Sequence, residues 1–325
     1  MDAVEPKVTI LMAVHNGGCF LSLAVGSILQ QTFSDFVFLI IDDASTDDTV
    51  EVIRSYNDER IRLLCLDENV GQTEALNIGL KAATTQWIAR MDADDFSAPT
   101  RLEEQLTVLE QNPDLHCLGA YAWTFREDHK KQESTLTTPI CHQQIKKALL
   151  AGSPLIHGTI VARRDSLLDV GGYNGYYRYS ADIELYDRFL DKYRVGAIPV
   201  SLLGIRRHPR QGSRTIVALN ENIEIFVNRL RNNNYSHEEA LIVKNSLSKF
   251  YINRGLKFLS KFNLAGSLRD WILAVETCPL RFIPNTTRIL LVSIVPIPCR
   301  IGVKYAVKCF WNTAGLYADR DKKAS

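Results

Sequence analysis

The amino-acid sequence predicts an α/β fold, in which a mostly parallel central sheet is flanked by helices and followed by a helical C-terminal appendage. Strand-like and helix-like segments alternate as far as Gln111, a pattern typical of doubly wound sheets. The strand-like segments stop near residue 215, and helical patterns follow. We therefore predict an α/β domain over residues 1–215 and a helical region over residues 216–325.

Four apolar runs predict the strands of the first half. The first run ends in the turn-forming residues Asn16, Gly17 and Gly18. The second run is apolar on both faces, as expected for a central parallel strand that helices cover on each side. The four predicted strands are residues 8–14, 36–41, 61–66 and 87–91.

Helices are predicted between and after these strands. Apolar side chains between Phe20 and Gln31 recur at helical spacing on one face. Ser45 is expected to cap the next helix, with Asp47 and Asp48 in its first turn, where carboxylates favour the helix dipole. Helices are also predicted at residues 72–83 and from Pro99 to residue 111, because proline fits the first turn of a helix.

The rest of the chain changes from a mixed to a helical pattern. Between residues 116 and 207, strands are predicted at 117–125 and 155–162, and helices at 144–150 and 182–191. From residue 216 onward only helices are predicted, at 216–231, 237–259 and 265–276.

Composition excludes several classes of protein. Of the 325 residues, 46% are hydrophobic and 23% are charged, unlike a disordered chain or a multi-span membrane protein. The net charge of +1 gives no overall field for holding nucleic acid, so no nucleic-acid partner is expected. The seven scattered cysteines form no C-x-x-C pair, which favours a reducing, cytoplasmic location. We expect no secretory signal, and the apolar run at residues 289–298 is too short to cross a bilayer.

Charge is divided unevenly along the chain. From Tyr251 onward there are twelve basic and four acidic residues, a charge of +8. Arg300, Lys304 and Lys308 recur every four residues, so that a helix would carry them on one face. This segment is expected to lie on an anionic membrane, at the inner face of the plasma membrane, where a lipid-linked acceptor would be presented. The alternative is a C-terminal helix that packs on the core with its basic face in solvent.

Two acidic clusters follow strands that are expected to be parallel. Asp42 and Asp43 end the second strand, and Asp92, Asp94 and Asp95 follow the fourth. Because the carboxyl ends of parallel strands open on the same edge, the two clusters are expected to converge. Capping of the following helix accounts for Asp42, but three acids in four positions exceed what a cap needs. A hard divalent cation, Mg²⁺ or Mn²⁺, shared with substrate phosphates is the expected partner of that cluster.

Five motifs in this order and spacing resemble a known family. They are V-T-I-L-M-A-V-H-N, S-I-L-Q-Q-T-F, I-I-D-D-A-S-T-D-D-T, M-D-A-D-D and G-G-Y followed by A-D-I-E-L-Y-D-R. Together they resemble the inverting nucleotide-sugar glycosyltransferases of family 2, which have the GT-A fold, over roughly residues 7 to 215. The resemblance implies transfer of one sugar from a nucleotide-diphosphate donor, UDP- or dTDP-linked, to an acceptor hydroxyl of a growing cell-surface glycan.

The resemblance also implies a role for individual residues. Asp182 matches the catalytic base, Asp94 matches the metal-binding aspartate of an Asp-x-Asp motif, and His208 resembles a downstream histidine that helps to hold the metal or diphosphate. Asp43 matches the acid that accepts the base N–H, and Asp92 the acid that faces the ribose or first phosphate. The residues expected to bind the nucleotide sugar are Ala13, His15, Asn16, Asp43, Asn77, Asp92 and Ala93.

Several alternatives stay open at this stage. Asp182 stands where an N-terminal helix cap is common. Asn77 and Gln72, on the helix after the third strand, face either the donor or solvent, and His157 either touches the acceptor or is a structural histidine.

Two rival functions also stay open. A nucleotidyltransferase would need a Gly-rich basic loop after the first strand, and residues 15–19 contain no Lys or Arg. A non-catalytic binder on the same scaffold is the second rival. Residues 211–215 lack the Trp of the Q-x-x-R-W motif of processive synthases, which favours addition of a single sugar.

Overall fold

The computed structural model describes residues 6–209, 211, 215–232 and 234–277. The apolar run at 289–298 and the basic residues Arg300, Lys304 and Lys308 lie outside the described residues.

Four parallel strands form one half of the sheet. They are β1 (Val8–Val14), β2 (Phe36–Asp42), β3 (Ile61–Cys65) and β4 (Trp87–Met91). Their order is β3-β2-β1-β4, and Val14 pairs with Asp42 while Met12 pairs with Met91. This register brings the residues that follow β1, β2 and β4 to one edge of the sheet, as the sequence predicts.

The other half of the sheet is mixed. It contains β5 (Phe96–Ser97), β6 (Cys117–Phe125), β7 (Ser134–Leu136), β8 (Val161–Arg163) and β9 (Val195–Arg206). The order continues from β4 through β8, β6, β9 and β5, with β7 on β6. β8 runs antiparallel to both β4 and β6, whereas β6 and β9 are parallel.

The strand predicted at residues 155–162 is mostly wrong. Only Val161–Arg163 is a strand, and His157–Thr159 form a 3-10 turn. The backbone at Gly158 approaches β9 so closely that a Cβ there would stand 2.6 Å from Leu203 Cδ2. Tertiary packing therefore overrides the local apolar pattern.

Helices cover both faces of the sheet. In β1, Val8, Ile10 and Met12 face one core layer with α1 (Leu21–Leu29) and α4 (Arg101–Gln111), while Leu11 faces the other layer with α3 (Gln72–Ala82). This alternation follows from the period of two along a strand. The remaining helices of the first 200 residues are α2 (Thr49–Arg54), α5 (His142–Leu149), α6 (Arg164–Asp169) and α7 (Ala181–Lys192).

The predicted cap of α2 is misplaced. The helix begins at Thr49, and the Thr49 N–H donates to Asp47 Oδ1 at 3.1 Å. Ser45 Oγ instead accepts from the backbone N–H of Asn16 at 2.9 Å. Ser45 therefore ties the loop after β2 to the loop after β1.

Three helices follow the sheet, as predicted from the sequence. They are α8 (Ile216–Asn232), α9 (His237–Ser260) and α10 (Leu264–Thr277). A capping box between Ser236 and Glu239 starts α9. Phe226 of α8 is fully buried in the same apolar cluster as Phe189 of α7, so α8 packs directly on the α/β layer.

The division of the chain at residue 215 stays a prediction. In the described part of the chain, no helix is both long and apolar enough to span a bilayer.

Candidate active site

Three carboxylates gather where β4 ends. Asp92, Asp94 and Asp95 each offer an oxygen atom, and these atoms lie within 4.8 Å of one another. Asp92 forms an ion pair with Arg90 of β4, and it accepts from Gln72 Nε2 at 3.3 Å. Asp95 is buried and accepts from the backbone N–H of Arg206 at 3.0 Å. Arg90 of β4 and Arg206 at the end of β9 therefore hold the cluster between two strands.

Burial and mutual repulsion both disfavour the charged form of these carboxylates. Burial, and then the charges of Asp94 and Asp92, raise the pKa of Asp95 well above its ordinary value. Burial also raises the pKa of Asp92 despite the opposing charge of Arg90. A bound divalent cation would relieve this repulsion, and carboxylate oxygens are the ligands that Mg²⁺ and Mn²⁺ prefer.

His208 reaches this cluster from the segment after β9. Its Nε2 lies 2.8 Å from Asp94 Oδ2, and its ring packs against Phe20 with 4.8 Å between the ring centroids. His208 Nδ1 is buried and has no hydrogen-bond partner among the described residues. The structure thus brings together the two residues predicted to hold a metal.

A cavity of about 490 Å³ lies beside the cluster, at the ends of β1 and β2. Asp43, almost fully buried, fixes its wall, because Oδ1 accepts from the Val70 N–H at 2.7 Å and Oδ2 from the Gly71 N–H at 2.9 Å. The predicted donor-binding residues on its lining are Ala13, His15, Asn16, Asp43, Asp92 and Ala93.

The loop after β1 is held in one conformation. His15 Nδ1 lies 2.7 Å from the Asp43 carbonyl oxygen, and Asn16 Oδ1 accepts from the Thr46 N–H at 2.8 Å. Asn16 has φ of 53°, in the left-handed region that Asn tolerates better than most residues. These contacts preorganise the wall of the cavity.

A second cavity of about 500 Å³ adjoins the first and contains Asp182. Asp182 lies in the first turn of α7 and accepts from Ser153 Oγ at 2.9 Å. Burial raises the pKa of Asp182. Ser180, not Asp182, is the capping position of α7, and hydrogen bonds from the backbone N–H groups of Ile183 and Asp182 to the Asp182 carboxylate oppose that rise.

The two cavities form one continuous cleft. Both are lined by five shared residues, and Asp43 lies at one end while Asp182 lies at the other. The shared residues are Gln72, Asp92, Asp94, Arg178 and Tyr179. The distant carboxylates that the sequence singles out therefore surround a single space.

Asn77 is not brought to this cleft. It is almost fully buried, its Nδ2 donates to the Tyr173 carbonyl at 2.8 Å, and its Oδ1 accepts from the Tyr173 N–H at 2.8 Å. The expectation that Asn77 binds the donor is wrong, because its amide holds the loop after α6 instead. Gln72, at the start of the same helix, does line the cleft.

Comparison with known proteins supplies the family. The sequence model described as "Glycosyl transferase family 2" matches residues 9–172, about half of the chain. The chain belongs to this family. The glycosyltransferase is 31% identical to the O-antigen biosynthesis glycosyltransferase WbnJ of Escherichia coli, over 66% of this chain and 85% of WbnJ. The resemblance inferred from the motifs is thereby confirmed.

Solved structures agree on the fold. S. aureus TarS in complex with UDP-GlcNAc superposes with a TM-score of 0.64 at 17% identity, over 85% of this chain and 82% of that one. The mannosyltransferase PcManGT from Pyrobaculum calidifontis, in complex with GDP-Man and Mn²⁺, gives 0.58 at 17% identity, over 95% and 88%. The predicted GT-A type architecture with a C-terminal helical region is confirmed. The family match contains Asp43, Asp92 and Asp94, whereas Asp182 and His208 lie beyond it.

Sequence reasoning missed the arginines of the glycosyltransferase cleft. Arg90, Arg178 and Arg207 line the cavity that contains Asp182. Arg90 could have been found, since a charged residue inside an otherwise apolar strand needs a buried partner. Arg178 and Arg207 carry no comparable local signal.

His157 lies deeper in the wall of the same cavity. Its ring nitrogens are 3.0 Å from Tyr186 Oη and 3.1 Å from Tyr173 Oη. Burial, and then the charge of Arg90, lower the pKa of His157 well below its ordinary value. It is therefore a neutral histidine whose hydrogen bonds to protein groups are satisfied.

Proposed function

We propose that this glycosyltransferase moves one sugar from a nucleotide-diphosphate sugar to an acceptor hydroxyl by a single inverting displacement. The observation that carries the proposal is the continuous cleft, with Asp43 at one end, the Asp94 cluster in the middle and Asp182 at the other. The nucleotide would lie between β1 and Asp43, the diphosphate beside Asp94, and the reacting sugar near Asp182.

Asp182 is the general base in this proposal. As the acceptor oxygen bonds to the anomeric carbon, the bond from that carbon to the diphosphate oxygen breaks, and the hydroxyl proton passes to the Asp182 carboxylate. Ser153 holds this carboxylate in place, and the burial that raises its pKa makes it a stronger proton acceptor than an exposed aspartate. No second carboxylate is needed as a nucleophile.

Asp94 and His208, with Asp92, are the residues that would hold Mg²⁺ or Mn²⁺. Their oxygen and imidazole donors fit such a cation, and the repulsion between the carboxylates of the cluster favours one. When bound, the cation would supply positive charge beside the departing diphosphate. PcManGT, a relative in fold, is described with Mn²⁺.

UDP or dTDP is the proposed carrier, and a growing cell-surface glycan, free or lipid-linked, is the proposed acceptor. TarS, described in complex with UDP-GlcNAc, supports a uridine diphosphate carrier. WbnJ, described in O-antigen biosynthesis, supports a cell-surface glycan as the acceptor.

A thermal-shift screen of nucleotide sugars, with and without Mn²⁺, tests the proposal. One diphosphate sugar with metal should stabilise the protein, by about 2.7 kcal/mol at a hundredfold excess over Kd. The stabilisation should vanish in Asp94→Ala. Binding without turnover would favour a non-catalytic binder, and production of a nucleotide sugar from a sugar phosphate would favour a nucleotidyltransferase.

We also propose that the C-terminal region lies on an anionic membrane surface, within the cytoplasm. Leu264, Leu268 and Ile272 recur every four residues on α10 and are 60%, 62% and 50% exposed. Lys261 and Arg269 are exposed beside them. Residues 278–325, which follow α10 directly, contain eight basic and two acidic residues. An apolar stripe with basic neighbours matches anionic lipid headgroups above an acyl layer.

Vesicle sedimentation tests the membrane proposal. The protein should bind phosphatidylcholine vesicles that contain phosphatidylglycerol and not vesicles of phosphatidylcholine alone. Leu268→Ser with Ile272→Ser should weaken this binding, whereas Ile140→Ser, at another exposed apolar position, should not. Equal binding to neutral and anionic vesicles would overturn the proposal.

A further inference from the structure

The loop before α7 borders both halves of the cleft. Gly171 and Gly172, with φ of 86° and 68°, turn the chain after α6. The loop then runs to Ser180, the residue before α7. Within it, Arg178 and Tyr179 line the cavity that contains Asp43 and also the cavity that contains Asp182. Any donor that spans the two cavities must therefore pass this loop.

A carboxylate from the C-terminal helices holds this loop by its backbone. Glu221 of α8 accepts from the Arg178 N–H through Oε1 at 2.8 Å, and from the Tyr179 and Ser180 N–H groups through Oε2 at 2.8 and 2.9 Å. Ser180 Oγ also donates to the Ala218 carbonyl at 3.3 Å. Successive backbone N–H groups that converge on one anion form a strong, charge-assisted arrangement.

Glu221 has no other charged partner in the part of the chain that the structure describes. The residue is 8% exposed, and it takes part in none of the ion pairs among the described residues. Burying a carboxylate is costly unless hydrogen bonds compensate, so the three N–H groups account for its place in the fold. The position of the loop therefore depends on these three hydrogen bonds to the Glu221 carboxylate.

The Arg178 side chain is free to bind an anion. It is exposed, forms no ion pair with a described acidic residue, and lies over the Tyr179 ring at 5.6 Å. It stands at the boundary between the proposed nucleotide and sugar positions, where the diphosphate of a donor would lie. A guanidinium matches phosphate oxygens in a bidentate geometry.

We propose that Arg178 binds the donor diphosphate and that Glu221 is the positioning residue that fixes Arg178 at the boundary of the two cavities. This inference rests on the proposed function and adds two residues beyond the matched family region. It also gives the C-terminal helical region an indirect part in donor binding. Glu221 of α8 does not line the cleft, and it acts by holding the loop that carries Arg178.

Titration calorimetry of UDP, dTDP and GDP, each with Mn²⁺, tests the proposal on the full chain. For the nucleotide that binds, Arg178→Ala should weaken diphosphate binding at least tenfold, and Arg178→Lys should weaken it less. Glu221→Gln should weaken it several-fold, because the new amide NH₂ would face backbone N–H groups. The matching nucleoside monophosphate should lose much less affinity in every variant.

The double variant separates positioning from general damage. If Glu221 acts through Arg178, the loss in Glu221→Gln with Arg178→Ala should be close to that of Arg178→Ala alone. Glu224→Gln is the matched control, since Glu224 lies on the same helix and accepts a hydrogen bond from the Tyr176 hydroxyl of the loop, at 3.2 Å, rather than from its backbone. It should bind the diphosphate as the wild type does.

Three results would overturn the inference. They are unchanged diphosphate affinity in Arg178→Ala, additive losses in the double variant, and equal losses for monophosphate and diphosphate. Arg178 is exposed, so Arg178→Ala gives an answer even if Glu221→Gln does not fold. If the wild type binds none of the three diphosphates, the proposed function itself fails. If the wild type binds one of them and Arg178→Ala binds it with the same affinity, only this inference is refuted.

Discussion

Replacement of Asp182 by Asn should stop the reaction without stopping donor binding. A positioned general base contributes roughly 10²- to 10⁴-fold to a rate. At about 1.36 kcal/mol for each tenfold change, Asp182→Asn should therefore raise the barrier by about 3 to 5 kcal/mol. The Asn side chain keeps an oxygen that accepts from Ser153, so the start of α7 should keep its geometry.

Two assays separate the chemical step from binding. Release of nucleoside diphosphate measures kcat, and calorimetry with the diphosphate and Mn²⁺ measures Kd. We expect kcat to fall at least a hundredfold while Kd stays within about twofold, since the lost interaction forms only in the transition state.

A surface residue of the same helix is the control for this experiment. The Asp191 side chain of α7 is 73% exposed and its ion-pair partner among the described residues is Lys146, so Asp191→Asn makes the same chemical change outside the cleft. Exposed pairs of this kind contribute about 0 to 1 kcal/mol, and activity should be unchanged. The assignment of Asp182 as the base would be refuted if Asp182→Asn lowered kcat by less than about fivefold. It would also be refuted if the variant lost donor affinity in parallel with kcat.

Three further predictions follow from the same structure. Because burial raises the pKa of Asp182, kcat/KM should decline on acidification with a midpoint above the ordinary aspartate value of 3.8, since protonation removes the base; a profile flat through that range would contradict this. Asp43→Asn leaves one oxygen for the two N–H groups of Val70 and Gly71. Calorimetry should therefore show about tenfold weaker nucleotide binding. Unchanged affinity would count against Asp43 as a binding residue. Gly79→Ala would push a methyl group into Leu11 and to 3.0 Å from Ile41 Cγ1. In urea titrations it should lower the free energy of unfolding by about 1 to 3 kcal/mol. An unchanged unfolding midpoint would show that α3 can move away from the sheet.

Local signals made the first half of the fold predictable. Apolar runs bounded by turn residues gave β1 to β4 to within one residue at each end, and helical spacing gave α3 to within one residue. The second half depends on contacts between distant segments. The turn at His157–Thr159 replaces a predicted strand because Gly158 packs against Leu203, a contact that no local pattern contains.

The site divides in the same way. Strand ends predicted that Asp43 and Asp94 would be close together, because the topology of a parallel sheet fixes where strand ends lie. Asp182 and His208 were expected at the same cleft from the resemblance to the family, not from strand topology. The side of α3 that Asn77 faces depends on how the loop after α6 packs, so helical spacing alone could not decide it. Glu221 holds a loop some forty residues earlier through backbone N–H groups, which carry no residue-specific signal in a sequence.

The anomeric configuration of the product tests the central claim most directly. Proton NMR of the newly formed linkage, compared with the linkage in the nucleotide-sugar donor, reports whether the configuration at the anomeric carbon has changed. One displacement with Asp182 as the base requires opposite configurations. The same configuration in donor and product would require two displacements or front-face attack, and it would contradict the mechanism derived from this cleft.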